Sequence, residues 1–279
     1  MIYRKIKLRD YYPMLESVGG DPTLEIYARS NSREIDLDRR YPGMLICPGG
    51  AYAFVSDREA EPVALKYLDS GFNCFVLTYS VAPAHYPQQL LQAAAAMNYI
   101  RKTADELHTY PDRVSVSGFS AGGHLAASLS CLWHEDVLSA TLGEDSESFR
   151  PDASVLCYPV ITGGIFTHGG SFQNLCAGDE KLVEKLSLEN AVDGRTAPAF
   201  IWHTAADGGV PVENSMFYAA AMRKNDRPFE LHIFRTGCHG LSLCNYDTAG
   251  PKNPDLIHEA DSAWFDMSVT FLNNLFEGK

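Results

Sequence analysis

Val114-Ser115-Val116-Ser117-Gly118-Phe119-Ser120-Ala121-Gly122-Gly123-His124 changes character at its middle. Before Gly118, β-branched and small residues alternate as in a buried strand. After Ser120, Ala121 and Leu125-Ala126-Ala127-Ser128-Leu129 are helix formers. Between the two stands G-x-S-x-G, with Ser120 at its centre. A serine on such a sharp strand-to-helix turn is exposed above a sheet, and the flanking glycines keep the strained turn clear of side chains. The helix start behind it turns N–H groups and the positive end of its dipole toward any negative charge that develops. Glycine and serine also fill ordinary turns, so the motif alone is weak. A strand before it and a helix after it make it specific, and Ser120 is expected to be a nucleophile.

A serine needs a base, and the base needs an orienting group. Downstream, Ala199-Phe200-Ile201-Trp202-His203-Thr204 reads as an apolar strand, and Asp207 stands in the loop beyond it. Pro228-Phe229-Glu230-Leu231-His232-Ile233-Phe234 reads as an alternating strand, and His239 follows in the loop Gly237-Cys238-His239-Gly240. Three post-strand loops thus deliver Ser120, Asp207 and His239 in chain order, at the strand ends where open α/β sheets place their sites. In that arrangement Ser120 attacks, His239 takes and returns the proton, and Asp207 holds the imidazole.

An acyl-transfer site also needs donors for an oxyanion. Met44-Leu45-Ile46-Cys47 reads as a short buried strand, followed by Pro48-Gly49-Gly50-Ala51-Tyr52. The expected donors are the backbone N–H groups of Gly50, Ala51 and Ala121. Tyr52, Phe54, Tyr158 and Trp202 are the aromatic residues expected to line the substrate pocket, with Tyr52 first because it adjoins the oxyanion loop.

With these parts in place the chain resembles the α/β-hydrolase superfamily, in its acetylesterase and carbohydrate (acetyl xylan) esterase branch related to hormone-sensitive-lipase-like esterases. Pro48-Gly49-Gly50-Ala51-Tyr52 stands where that superfamily has H-G-G-G or P-G-G-G-Y, and Gly118 to His124 matches its elbow. His203 to Pro211 matches its acid loop and Gly237 to Gly240 its histidine loop. Pro48 departs from the lipase-like histidine, Ala51 from the third glycine, and Ala206 from a frequent second aspartate. The resemblance implies a serine esterase that removes short acyl groups, acetyl above all, from sugars or oligosaccharides without a cofactor. An arylformamidase-like amidase or small-peptide hydrolase on the same scaffold is the alternative, and a catalytically silent binding module is a second.

Composition fits that reading. The chain has 279 residues, enough for one α/β-hydrolase domain with a full core. Strands are expected near 24–29, 43–47, 72–79, 113–117, 154–158, 199–204 and 229–234, with an edge strand at the N-terminus. Helices are expected near 57–70, 87–104, 121–132, 212–225 and 260–275. That alternation implies a mostly parallel sheet covered by helices on both faces, without a large cap domain. The segment at about 162–198 reads as an irregular, Gly-rich, lid-like insertion with one short helical stretch near 181–186. The formal charge of −12 argues against nucleic acid and anionic membranes as partners. No apolar run approaches the ~20 residues of a membrane span, and the first residues lack a signal-peptide core. Seven cysteines, several inside core strands, suit free thiols and a cytoplasmic location. The sequence leaves open whether the chain forms a homo-oligomer.

Other residues compete for roles. His124 follows Ser120 by one helical turn but points away from the serine tip, and is expected to pack. His203, at a strand end, is expected to be structural or at the pocket rim. Neither these nor the remaining histidines show metal-ligand spacing with Cys or acidic partners, so no metal is expected.

Overall fold

The computed structural model describes residues 1–278. Eight strands form one sheet: β1 (Ile2–Lys7), β2 (Thr23–Ala28), β3 (Tyr41–Cys47), β4 (Asn73–Thr78), β5 (Thr109–Phe119), β6 (Ala153–Cys157), β7 (Ala199–Thr204) and β8 (Phe229–Phe234). Their spatial order is β1-β2-β4-β3-β5-β6-β7-β8. The pairs β1–β2 and β2–β4 are antiparallel; every pair from β4 to β8 is parallel. The expected mostly parallel sheet is therefore present, and the N-terminal strand closes one edge.

Alternation along the strands loads both faces of the sheet. On β7, Ala199 and Ile201 enter one core cluster while Phe200 and Trp202 enter the other. On the first face pack α2 (Gln88–Lys102), α3 (Ala121–Leu132) and α7 (Glu213–Lys224); on the second, α1 (Glu61–Asp69) and α9 (Ala263–Glu277). Every residue of α3 is buried. Its run of Ala, Gly, Ser and Leu has no polar face to offer water, as expected of a helix enclosed on all sides.

The chain differs from the sequence reading in its shorter helices. A helix that the reading lacks, α4 (Asp136–Leu142), follows α3, and a four-residue turn of helix, α8 (Tyr246–Ala249), precedes α9. The segment 162–198 holds the short helix expected near 181–186, α6 (Glu180–Lys185), but is less irregular than expected because it also holds α5 (Gly169–Cys176). Gly169-Gly170 opens α5 instead of breaking the chain: the His168 side chain caps the helix by accepting from the Ser171 N–H. Asp179 caps α6 by accepting from the N–H groups of Lys181 and Leu182. All seven cysteines are free; six are buried and Cys238 is exposed. Among the described residues, no helix is long and apolar enough to cross a membrane.

His124 lies inside this core at 1% exposure. Its Nε2 donates to Leu186 O (2.9 Å), which fixes the proton on that nitrogen, so Nδ1 accepts from the Tyr52 hydroxyl (2.9 Å). Burial pushes the imidazole pKa down to about 4. A histidine that binds its proton more weakly folded than unfolded gives its full stability above the unfolded pKa near 6.5 and loses it as pH falls toward 4. Unfolding by urea at pH 7 and at pH 4.5 is expected to show wild type losing on the order of 2–3 kcal/mol more than His124→Gln over that interval. Equal losses in the two proteins would remove His124 as the acid-sensitive group.

Candidate active site

Parallel pairing brings the carboxyl ends of β3, β5, β7 and β8 to one edge of the sheet. Between β5 and α3, Ser120 adopts φ +54° and ψ −120°. A residue with a side chain takes this left-handed conformation only where its surroundings enforce it. The enforcement is visible: Ser120 N–H donates to Cys157 O (3.0 Å), and Ser120 O accepts from His124 N–H (3.1 Å) and Val160 N–H (3.0 Å). The elbow is also wedged against the loop after β3. A Cβ on Gly122 would lie 2.1 Å from Cys47 O, and one on Gly49 would lie 3.0 Å from the Ser120 Cβ. Only glycine allows these two loops to meet so closely.

The three polar side chains expected to work together are in one chain of hydrogen bonds. Ser120 Oγ lies 2.8 Å from His239 Nε2, and His239 Nδ1 lies 2.7 Å from Asp207 Oδ2. The carboxylate can only accept, so the ring proton sits on Nδ1 and Nε2 is left to accept from the serine hydroxyl. Asp207 Oδ1 accepts from the N–H groups of Gly209 (2.8 Å) and Val210 (2.9 Å). Burial would raise the Asp207 pKa; the hydrogen bonds from His203, His239 and Val210 outweigh it and hold the carboxyl well below the usual carboxylate range. It therefore stays ionised wherever the imidazole is to be charged.

His203 is structural, and its partner is Asp207. Val210 O accepts from His203 Nε2 (3.0 Å), so Nδ1 accepts from the Ser215 hydroxyl (2.8 Å). The same Nε2 lies 3.3 Å from Asp207 Oδ2. This fully buried imidazole steadies the carboxylate that steadies His239.

In the loop after β3, Gly50 and Ala51 take φ +126° and +56°. Among the described residues neither of their N–H groups donates to a protein acceptor. They adjoin a cleft of about 200 Å³ lined by Gly50, Ala51, Phe54, Ser56, Arg58, Glu59, Ser120, His168, His239 and Gly240. Ala121, directly after Ser120, opens α3.

The pocket aromatics separate sharply. Phe54 is exposed and lines the cleft. Tyr52 does not: at φ +56° the chain turns its ring under the loop, where it meets Tyr79 and His124 in the core. Trp202 is stacked on Trp264 (ring centroids 5.1 Å, planes 14° apart), because its position on β7 faces the sheet's second layer and not its end. Tyr158 packs edge-on against His239 (5.2 Å) from behind. Tyr52, Tyr158 and Trp202 are thus corrections to the expected pocket wall.

Tyr158 leads to a residue that the sequence did not reveal. Its hydroxyl donates to Glu59 Oε1 (2.7 Å) and accepts from Ser242 N–H (2.8 Å). Glu59 Oε2 accepts from Gly49 N–H (2.8 Å). One buried carboxylate therefore joins the loop after β3 to the ring behind His239 and to the loop after β8. Arg58 and His168, also absent from the expected set, complete the cleft wall. The insertion that carries His168 is tied to the oxyanion loop by Asn174 Nδ2 donating to Ala51 O (2.9 Å).

The chain is similar to known ester hydrolases and xylan-acting enzymes. The family profile described as BD-FAE matches residues 24–162. Endo-1,4-beta-xylanase B of Butyrivibrio fibrisolvens is 36% identical over 237 residues, covering 82% of this chain and 36% of that protein. The acetylxylan esterase of Xylanibacter ruminicola is 30% identical over 204 residues, covering 70% of this chain and 40% of that protein. The chain thus spans well under half the length of these two curated relatives. The crystal structure of an acetyl ester-xyloside bifunctional hydrolase from Caldicellulosiruptor lactoaceticus superposes with a TM-score of 0.78 at 36% identity, covering 96% of this chain and 97% of that one.

Proposed function

The chain belongs to the BD-FAE family of α/β hydrolases, and on that premise we propose that it is a serine esterase that removes acetyl groups from sugars or oligosaccharides. The observation that carries the reading is the unbroken relay from Ser120 Oγ through His239 to Asp207, beside two unoccupied backbone donors.

In the first half-reaction His239 Nε2 takes the Ser120 proton as Oγ adds to the ester carbonyl. The carbonyl oxygen gains the electron pair and is held by the N–H groups of Gly50, Ala51 and Ala121. Collapse breaks the bond to the alcohol oxygen, which receives the proton from His239 and leaves. Water then adds to the acyl-enzyme by the same route, releasing acetate and restoring Ser120. Asp207 keeps the imidazole in the required tautomer and stabilises it while charged. No role in the sequence is left for a cofactor. Six buried free thiols support a reducing compartment, the cytoplasm, as its place of work.

Acetyl is favoured by the small cleft and by the Ala51 methyl at its acyl side. Each added pair of methylenes is expected to lower kcat/KM about tenfold or more, since a misfitting methylene costs about 1–3 kcal/mol. A series of p-nitrophenyl esters checks this: acetyl should exceed butyryl, and octanoyl should stand near background. Acetylated xylose and xylo-oligosaccharides should release acetate. Octanoyl turnover equal to acetyl would overturn the short-acyl reading.

A further inference from the structure

Arg58 is a cation in the cleft wall with no ion-pair partner among the described residues. Its carbonyl accepts from Ser242 Oγ (2.8 Å) and its Nη1 donates to Gly240 O (3.0 Å). Both anchors belong to the loop that carries His239, so the guanidinium is held beside that histidine. Among the described residues it has no carboxylate within ion-pair distance. Glu59, next in sequence, is occupied by Gly49 N–H and the Tyr158 hydroxyl; Asp207 is occupied by its own donors.

The side of the nucleophile follows from the chemistry. His239 Nε2 must reach the alcohol oxygen to return the proton, so the departing alcohol lies toward His239, and Arg58 borders that side. A second donor lines the same cleft. His168 Nδ1 accepts from Ser171 N–H (3.3 Å), so the proton of the neutral ring is on Nε2. Apart from Glu59, each of whose oxygens already accepts a bond, and the paired Ser120 and His239, the side-chain groups of the cleft are therefore donors, with only the Ser56 hydroxyl able to act either way. A neutral polyol brings donors that need acceptors. A carboxylate brings acceptors alone, together with the charge a guanidinium pairs with best.

We infer that the leaving-group side of the cleft takes an alcohol bearing a carboxylate, as in an acetylated acidic sugar, with Arg58 as the specificity-determining residue. The inference rests on the esterase reading, and its test separates the two. Mono-acetylated methyl glucuronosides and the matching uronamides differ only in the charge of one group. At low ionic strength wild type is expected to favour the acid over the amide in kcat/KM by about tenfold, the effect of a charged hydrogen bond discounted for partial exposure. Added salt should shrink that preference. In Arg58→Gln the acid-to-amide ratio should fall to about one, whatever happens to either rate alone. Equal turnover of acid and amide by wild type, or an unchanged ratio in Arg58→Gln, would overturn the assignment. So would hydrolysis of p-nitrophenyl acetate with neither sugar cleaved. No hydrolysis of any ester would instead defeat the esterase reading beneath it.

Discussion

Ser120→Ala is expected to lower the turnover of acetyl esters by roughly five orders of magnitude while leaving the protein folded. The members of a nucleophile, base and carboxylate relay act as a unit, so loss of the attacking oxygen removes nearly all that the relay provides. Alanine suffers the same left-handed strain as serine at φ +54°, and the backbone bonds of residue 120 to Cys157, His124 and Val160 are untouched. Stability should therefore change little. A fluorophosphonate should label Ser120, which is 7% exposed at the cleft, and mass spectrometry should find no adduct in the variant. An adduct that persists in Ser120→Ala would place the nucleophile elsewhere.

His239→Ala should be nearly as damaging, because among the described residues no other imidazole hydrogen-bonds Ser120 Oγ. Asp207→Asn is expected to cost about 10⁴-fold in kcat. The amide offers N–H where His239 needs an acceptor, so the ring flips its proton to Nε2 and can no longer receive one from the serine. His203→Ala should cost less than either, since it acts on the carboxylate from behind. Initial rates with p-nitrophenyl acetate, beside thermal unfolding of each variant, rank the four. If His124→Ala or His203→Ala proved as harmful as His239→Ala with folding intact, the base would be misassigned.

These three side chains were legible because each stands in a short loop just beyond a strongly apolar strand, where the local pattern fixes both the element and its end. The sheet was legible for the same reason: α3 and the strands around it carry runs that only a covered sheet can hide. Side-chain direction was not. Trp202 and Ile201 differ by one residue and enter opposite layers, and neither faces the strand end where the cleft opens. Tyr52 was misplaced by a left-handed turn that sequence alone does not show. Arg58 and Glu59 are neighbours in one short turn of helix, yet one borders the cleft with its charge unpaired and the other is buried with both oxygens engaged. Nothing in an Asp-Arg-Glu triplet distinguishes them, because the difference is made by Gly49 and Tyr158, which arrive from distant parts of the chain. Of the two helices in segment 162–198, α6 stands where a short helical stretch was expected, whereas α5 was hidden by glycines that usually mark loops and here stand behind a histidine cap.

The bridge through Glu59 bears on how such a scaffold can be recombined. Strand-end loops of α/β proteins are commonly regarded as interchangeable cassettes, each free to vary on a constant frame. Here the segment from Pro48 to Glu59, Tyr158 and the turn at Ser242 are joined in one buried chain of hydrogen bonds, in which Gly49 N–H and the Tyr158 hydroxyl donate to the Glu59 carboxyl group and Ser242 N–H donates to the Tyr158 hydroxyl. A chimera that imported one of the three without the others would leave a buried polar group of that chain without its partner, at a cost of about 1–3 kcal/mol. The three segments form one transferable module, and they must be grafted, or left alone, together.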